Sequence, residues 1–182
     1  MQILIATILL IVIILLLLVI FAAFFFLFDA FFELPYVPAK SNKVPTIIKL
    51  ANIKKGETVV DLGSGDGRLL FAAAQKGACA IGYELNPYLV WFTKIKSHFF
   101  HPRDGQIIVY KQDLWKADLS VADVVFVYGR QKTMKKFQDF VYKNAKEGTR
   151  IIVNTDKTKP FPSKKPINVE NDLFLYKVYK PS

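Results

Sequence analysis

The stretch Val59–Arg68, with the sequence VVDLGSGDGR, constrains the fold more than any other part of the chain. Two β-branched residues lead into Asp61, and three glycines then follow at alternate positions. Glycine tolerates the positive φ angles and the close backbone approach that a tight connection between a strand and a helix requires. The stretch therefore predicts a strand, a ligand-holding turn and a helix in direct succession, which is the opening unit of an open α/β sheet.

Strand-like and helix-like segments alternate along the rest of the chain. Strands are predicted at Thr58–Leu62, Cys79–Tyr83, Ile107–Tyr110, Asp123–Tyr128 and Arg150–Val153, and helices at Thr46–Asn52, Arg68–Lys76, Pro87–Lys96 and Lys132–Ala145. This alternation indicates a parallel sheet covered by helices on both faces. Two further strand-like runs within Ile167–Lys180 predict a C-terminal antiparallel hairpin. The predicted fold is α/β, with a Rossmann-like, doubly wound, mostly parallel seven-stranded sheet.

The N-terminal segment from Ile3 to Phe28 contains no charged side chain. A helix of this length, rising about 1.5 Å per residue, exceeds the ~30 Å hydrocarbon core of a bilayer. A cleaved signal peptide is the alternative, but nothing basic precedes the run and its length exceeds the usual ~7–15 apolar residues. The sequence therefore predicts one transmembrane helix at residues 1–28, a proline-containing neck at 29–45 and a globular domain at 46–182.

The basic residues predict how the chain is oriented. Every lysine and arginine lies after the apolar run, beginning at Lys40, and the formal net charge is +10. Positive residues beside a membrane span favour the cytoplasmic side, so we expect a single-pass membrane protein with its N-terminus outside and its domain in the cytoplasm. The absence of an arginine-rich leader favours the cell membrane over an organelle membrane. We also expect contact with an anionic lipid surface.

Two acids, Asp61 just before the glycine turn and Asp66 within it, indicate the charge of the ligand. Dinucleotide sites have the spacing G-x-G-x-x-G and place a pyrophosphate over the helix N-terminus. Here the spacing is G-x-G-x-G, and Asp61 and Asp66 would repel a pyrophosphate. S-adenosylmethionine carries an ammonium group, a sulfonium group and no phosphate. The sequence therefore favours S-adenosylmethionine as the cofactor.

Acids at the ends of the next two predicted strands fit the same ligand. Glu84 can accept hydrogen bonds from the ribose hydroxyls, and Asp113 can accept one from the adenine amino group, with Leu114 or Trp115 packing near the ring. Asn86 is the predicted N-cap of the following helix. The predicted cofactor-binding residues are Asp61, Gly63, Ser64, Gly65, Glu84, Leu85, Asn86, Asp113 and Leu114, and no metal site is predicted.

Four stretches carry a resemblance to a known family: VPAKSNKV (Val37–Val44), VVDLGSGDGRLLFAAAQKG (Val59–Gly77), IGYELNPYLVWFTK (Ile81–Lys94) and DLWKADLS (Asp113–Ser120). With them the chain resembles a class I S-adenosylmethionine-dependent methyltransferase. It is most similar to the membrane-anchored protein-lysine methyltransferases that modify the ATP synthase c-subunit and the adenine nucleotide translocase, and to their prokaryotic relatives. The resemblance implies that the glycine turn surrounds the methionine part of the donor.

The resemblance also implies the reaction, which is transfer of a methyl group to a lysine side chain of a membrane protein. Burial in a narrow aromatic channel would lower the pKa of that lysine and favour its neutral form. Tyr36 and Tyr128 are the candidate catalytic residues lining this channel, with Trp115 as a further candidate. The expected partner is a protein with an accessible lysine at the membrane.

Three other functions remain open at this point. A small lipid-soluble acceptor, such as a quinone or a lipid, would explain the apolar segment equally well. A nucleic-acid partner is not expected, because Val127–Arg130 lacks the paired prolines that base amino-group methyltransferases carry after the fourth strand. A non-catalytic membrane scaffold is disfavoured by the complete set of predicted cofactor-binding residues.

Overall fold

The computed structural model describes residues 1–31, 41–100, 102, 104–155 and 160–179. The helices are α1 (Gln2–Phe31), α2 (Val44–Ala51), α3 (Arg68–Ala74), α4 (Pro87–His98) and α5 (Gln131–Asn144), with short 3-10 helices at Ser41–Lys43 and Leu114–Lys116. The strands are β1 (Thr58–Leu62), β2 (Cys79–Glu84), β3 (Gln106–Lys111), β4 (Val124–Tyr128), β5 (Arg150–Asn154), β6 (Asn168–Glu170) and β7 (Leu173–Lys177). The chain divides into two compact units, residues 1–37 and 38–182.

The first unit contains α1, in which residues Ile3–Phe28 include no charged side chain. Its segment Gln2–Phe24 is long and apolar enough to cross a membrane, by length and composition. The hydroxyl of Thr7 donates a hydrogen bond to the carbonyl oxygen of Ile3 at 2.9 Å. This polar side chain is therefore satisfied by its own helix, as a spanning segment requires.

The predicted neck lies largely outside the described residues, because residues 32–40 are not described. Its last residue, Pro45, lies in the first turn of α2. The helix therefore begins at Val44 rather than at Thr46. Proline is accepted in a first turn because the N–H that it lacks would have no partner within the helix.

The second unit is built on one seven-stranded sheet with the strand order β3-β2-β1-β4-β5-β7-β6. The strands β1 to β5 are parallel, and β7 runs antiparallel to both β5 and β6. Asn171 and Asp172 form the two-residue connection of the hairpin with φ angles of 52° and 59°. Short polar side chains tolerate this left-handed conformation. The predicted fold class is confirmed, including the C-terminal hairpin.

Gly82 is the point where β2 packs most closely against the glycine turn and α3. A Cβ atom at this position would lie 2.6 Å from both Leu70 Cδ1 and Ser64 Oγ. Ser64 and Leu70 are themselves buried, so neither can move into solvent. The absence of a side chain at Gly82 is what allows the turn to rest directly on the sheet.

We expect Gly82→Ala to lower the free energy of unfolding by about 1–3 kcal/mol, because its buried neighbours must shift. Cys79→Ala, at the partly exposed start of the same strand, is the matched control and should change this free energy by less than about 0.5 kcal/mol. Urea unfolding of the full chain in detergent micelles, followed by near-ultraviolet circular dichroism, measures both. Equal stabilities of the two variants would contradict the close approach.

Candidate functional site

The candidate site lies at the carboxyl ends of β1, β2 and β3, where three acidic residues meet. Asp61 lies in β1, Glu84 is the last residue of β2, and Asp113 follows β3. The three strands are adjacent and parallel, so their carboxyl ends form one edge of the sheet. Ligands of open α/β sheets bind at this edge. The structure therefore brings together the acids that the sequence singles out.

The glycine turn is fastened to the neighbouring strand by backbone hydrogen bonds. The N–H groups of Gly63 and Ser64 donate to the carbonyl oxygen of Tyr83 at 2.9 Å and 3.1 Å. Gly63, Gly65 and Gly67 have φ angles of 87°, 56° and 76°, a region that side chains with a Cβ atom rarely adopt. The alternation of glycines in the sequence is thus a requirement of this backbone path.

Glu84 connects the glycine turn to the start of α4. One carboxylate oxygen, Oε2, accepts a hydrogen bond from the N–H of Gly65 at 2.9 Å, and Oε1 accepts one from the N–H of Asn86 at 2.8 Å. A carboxylate oxygen offers two lone pairs, so each oxygen keeps acceptor capacity for a ligand hydroxyl. The side chain of Glu84 is therefore held in place and can still accept a hydrogen bond from a ligand.

Asp61 has a buried carboxylate without a positively charged partner among the described residues. The residue is only 6% exposed, and none of the described residues donates a hydrogen bond to its carboxylate. Burial raises the pKa of Asp61 to about 7, and the nearby carboxylates of Glu84 and Asp66 add to the rise. A positively charged ligand group beside Asp61 would relieve both effects.

Asp66, the acid inside the glycine turn, is neutralised within the protein. Although burial acts in the opposite direction, hydrogen bonds from Arg68 lower the pKa of Asp66. Arg68 Nη2 lies 2.6 Å from Asp66 Oδ2. Of these two acids, Asp61 in β1 is thus the one suited to a cationic ligand.

Two buried polar atoms beside the turn have no hydrogen-bond partner among the residues described: Ser64 Oγ and Asn86 Nδ2. The other side-chain atom of Asn86, Oδ1, accepts from the N–H groups of Tyr88 and Leu89 at 2.9 Å and 3.4 Å, which confirms the predicted N-cap of α4. An unpaired buried polar group is costly, so these two atoms mark positions where a ligand or water can bind.

The predicted adenine side of the site contains Asp113 and Leu114. Asp113 Oδ1 accepts a hydrogen bond from the N–H of Trp115 at 3.1 Å and so caps a short 3-10 helix. Leu114 is buried, and its Cδ2 would lie 3.8 Å from a Cβ atom at Gly63. Leu114 therefore borders the glycine turn. Leu85, which follows Glu84, is 38% exposed at the same edge of the sheet.

Trp115 points to a different part of the domain. Its ring lies 4.6 Å from the ring of Phe137, and Lys136 Nζ lies 4.1 Å above it. Both of these residues belong to α5. Of the two residues that the sequence offered as adenine neighbours, the structure favours Leu114. The role of Trp115 in an acceptor channel stays a prediction.

Of the two predicted acceptor-channel tyrosines, the structure describes one. Tyr128 ends β4 and is 36% exposed at the carboxyl edge of the sheet, whereas Tyr36 lies outside the described residues. Their role in an acceptor channel therefore stays a prediction.

Sequence reasoning missed Thr93, which supports the glycine turn from α4. Its side chain is fully buried, and its hydroxyl donates to the carbonyl oxygen of Gly65 at 3.3 Å. Its methyl group would lie 2.5 Å from a Cβ atom at Gly67. The available signal was a polar residue three positions after Val90, on the inward face of the predicted helix.

The strand order, the glycine turn and the acids at three strand ends define the class of protein, an α/β methyltransferase fold. A family model described as "ANTKMT methyltransferase domain" matches residues 61–163. The chain belongs to this family, which confirms the resemblance found in the sequence.

Three similar proteins illustrate the relationship. The human lysine N-methyltransferase of the ATP synthase c-subunit is 34% identical over 139 residues, which are 76% of this chain and 58% of that protein. A protein-lysine N-methyltransferase of Saccharolobus islandicus is 26% identical over 80% of this chain and 91% of its own length. The crystal structure of an RNA methyltransferase from Salinibacter ruber with S-adenosyl-L-homocysteine has a TM-score of 0.69 and 26% identity, covering 80% and 96% of the two chains. The chain thus spans little more than half of its human relative.

The raised pKa of Asp61 predicts a pH-dependent cost in stability. Its carboxyl has an ordinary pKa of 3.8 and a folded-state pKa of about 7. Its contribution to stability is therefore fully present below pH 3.8 and is lost as the pH rises to about 7. Asp61→Asn should raise the melting temperature of the full chain at pH 8 by roughly 3 °C or more, with little change near pH 4.

Asp66→Asn is the matched control with the opposite sign. The pKa of Asp66 is lowered by Arg68, so its contribution is present at pH 8 and is lost on acidification. This variant should melt at a lower temperature than the unmodified chain at pH 8. Differential scanning fluorimetry in detergent micelles at pH 4 and pH 8, without methyl donor, measures both. A destabilised Asp61→Asn variant at pH 8 would contradict the assignment.

Proposed function

We propose that the protein is a membrane-anchored methyltransferase that transfers a methyl group from S-adenosylmethionine to a lysine side chain of a protein at the membrane. The observation that carries the proposal is the buried Asp61 carboxylate, which lies in β1 just before the glycine turn and has no hydrogen-bond donor among the described residues. The family membership and the two lysine methyltransferase relatives support the same reaction.

The chemistry of the site fits S-adenosylmethionine. The side chains at the strand ends are hydrogen-bond acceptors, with Asp61 for the ammonium group, Glu84 for the ribose hydroxyls and Asp113 for the adenine amino group. The unpaired Ser64 Oγ and Asn86 Nδ2 offer further polar contacts at the same edge. When bound, the donor supplies a methyl group that its sulfonium already activates, so the protein mainly has to position it and exclude water.

The acceptor lysine must lose a proton before it can be methylated. Its ordinary pKa is about 10.4, and removal of its ammonium group from water lowers that value. We assign this role to an aromatic channel that includes Tyr128 at the end of β4, together with Tyr36. The tyrosine rings would desolvate the lysine and orient its nitrogen, while the proton passes to solvent.

We propose that the N-terminal helix anchors the protein in the membrane. We assign residues 1–28 to the anchor, 29–45 to the neck and 46–182 to the methyltransferase domain, with the N-terminus outside and the domain in the cytoplasm at the cell membrane. Anchoring would keep the site near lysines at the bilayer surface and so raise their effective concentration. The basic charge of +10 favours the same location through anionic lipids.

Donor binding should weaken as the pH falls below about 7, because a proton on Asp61 competes with the donor ammonium group. The dissociation constant of S-adenosylmethionine should rise by up to about tenfold for each further pH unit, and Asp61→Asn should bind weakly at every pH. Isothermal titration calorimetry of the full chain in detergent at pH 5.5, 6.5 and 8 measures this dependence. A dissociation constant that does not change over this range would contradict the pairing of Asp61 with the donor.

Cells expressing the chain should contain methylated membrane-protein lysines that are absent from cells lacking the gene. Methyl-lysine proteomics of isolated membranes measures the difference, and a gene encoding Asp61→Asn should not restore the modification. An unchanged lysine methylome, with donor binding intact, would contradict a lysine acceptor. Labelled donor incubated with extracted lipids then tests the quinone or lipid alternative.

RNA is a second candidate acceptor, and a basic groove on α5 favours it. Its lining includes Lys132, Lys136 and Lys143 beside the ring of Trp115, while Lys135 in the same groove is paired with Asp139. Basic groups around an aromatic ring suit a single-stranded nucleic acid. Transfer of labelled methyl groups to cellular RNA, with loss of binding at raised salt, would support this candidate over lysine.

A further inference from the structure

The outward face of α4 carries a stripe of large apolar side chains. Tyr88, Trp91, Phe92, Ile95 and the C-cap residue Phe99 are exposed by 38% to 77%. Their spacing of three and four residues places them on one side of the helix. A soluble domain rarely presents so many aromatic side chains together, so the stripe marks an interaction surface.

The face of α4 that packs on the domain lies opposite the stripe. The buried residues of α4 are Val90 and Thr93, which lie on the opposite side of the helix. Beyond the helix, Phe100 turns inward and its ring packs against that of Phe71 at 4.9 Å. The helix is therefore fixed to the domain by one face while its apolar stripe points away from it.

We propose that this stripe of α4 lies in the interfacial region of an anionic lipid bilayer. Tryptophan and tyrosine favour that region because their rings are apolar and carry one polar group. Exposed Lys94 lies beside the stripe, where an ammonium group can reach lipid phosphates. The proposal rests on the membrane anchoring proposed above, for which α1 supplies a segment of sufficient length.

A bilayer fits this surface better than a second copy of the chain does. A stable protein interface buries about 800 Å² on each partner and requires a complementary shape. Lipids, by contrast, adapt to any convex surface, including a single helix face such as this one. An interfacial helix typically buries its apolar face about 5–10 Å into the boundary between head groups and acyl chains.

The proposal fixes the orientation of the candidate site. α4 begins directly after Asn86, whose N–H is held by the carboxylate of Glu84 at 2.8 Å. The acid-lined edge of the sheet is thus joined rigidly to the end of the embedded helix. A lysine close to the bilayer surface would then be presented at a constant depth, without any specific contact to the rest of its protein.

The test uses the full chain reconstituted in vesicles that contain phosphatidylglycerol. The sequence has two tryptophans, so Trp115→Phe leaves Trp91 as the single reporter, and Trp91→Phe leaves Trp115 as the matched control. Lipids brominated near the head-group end of the acyl chain should reduce Trp91 emission at least about twofold, consistent with an interfacial depth. Trp115 emission should be unaffected, because its ring packs on α5.

The outcomes separate this inference from the proposed anchoring and from the proposed reaction. Vesicle flotation with Trp91 open to aqueous acrylamide and unaffected by brominated lipid would overturn the α4 inference alone. Failure of the full chain to float would overturn anchoring and the α4 inference together. Quenching of Trp91 without binding of S-adenosylmethionine would support the α4 surface while contradicting the proposed reaction.

A double substitution provides a further check. In the Trp115→Phe background, Phe92→Glu combined with Phe99→Glu places two charges on the stripe, and quenching of Trp91 emission by brominated lipid should then fall by at least about half. Val169→Glu in the same background, at a similarly exposed apolar residue on β6, is the matched control and should not alter that quenching. Donor binding by calorimetry confirms that both variants are folded. Equal quenching in both variants would overturn the proposal.

Discussion

The carboxylate of Glu84 is the interaction on which the rest of the site depends. It accepts hydrogen bonds from Gly65 in the glycine turn and from Asn86 at the start of α4. α4 then returns to the turn through the hydroxyl of Thr93, which donates to the carbonyl oxygen of Gly65. These contacts form a closed ring of β2, α4 and the turn, so no member can shift without breaking a hydrogen bond in another. A ligand that binds Glu84 would contact an already rigid frame.

The ionised carboxylate of Asp61 lowers the stability of the domain. A buried carboxylate near two others is unfavourable, and most proteins replace such groups unless they serve a function. Asp66 shows that the turn can neutralise an acid, because Arg68 lies 2.6 Å from it. Asp61, a few residues earlier, receives no such partner from the described residues. This difference between Asp61 and Asp66 is the basis for the proposed pairing of Asp61 with a cationic group of the donor.

The sequence predicts most of the fold because its signals are local. Strand and helix boundaries agree within a few residues, and the hairpin and the N-cap at Asn86 follow from turn and capping chemistry. The acids at three strand ends could be placed together because parallel strands share an edge. The start of α2 was predicted two residues late, at Thr46, because a proline that ends one segment can equally lie in the first turn of a helix.

The remaining features depend on tertiary contacts that no local pattern records. Leu114 packs beside the glycine turn, whereas its neighbour Trp115 packs on α5. The sequence alone could not decide which of the two lies near the adenine ring. Thr93 gains its importance only from the approach of α4 to Gly67. The outward stripe of α4 was hidden because buried residues such as Val90 make the helix apolar on both sides, which weakens its periodicity.

The short edge strand β6 affects how copies of the chain interact when they meet in a membrane. It extends only over Asn168–Glu170, and Glu170 is held by Lys49 at 3.0 Å, so it offers few unpaired backbone groups to a neighbouring sheet. Molecules confined to a bilayer, as proposed here, meet each other far more often than molecules in solution do. Because this edge strand is short and carries a charge, copies that meet by lateral diffusion in the bilayer would not pair their sheets edge to edge.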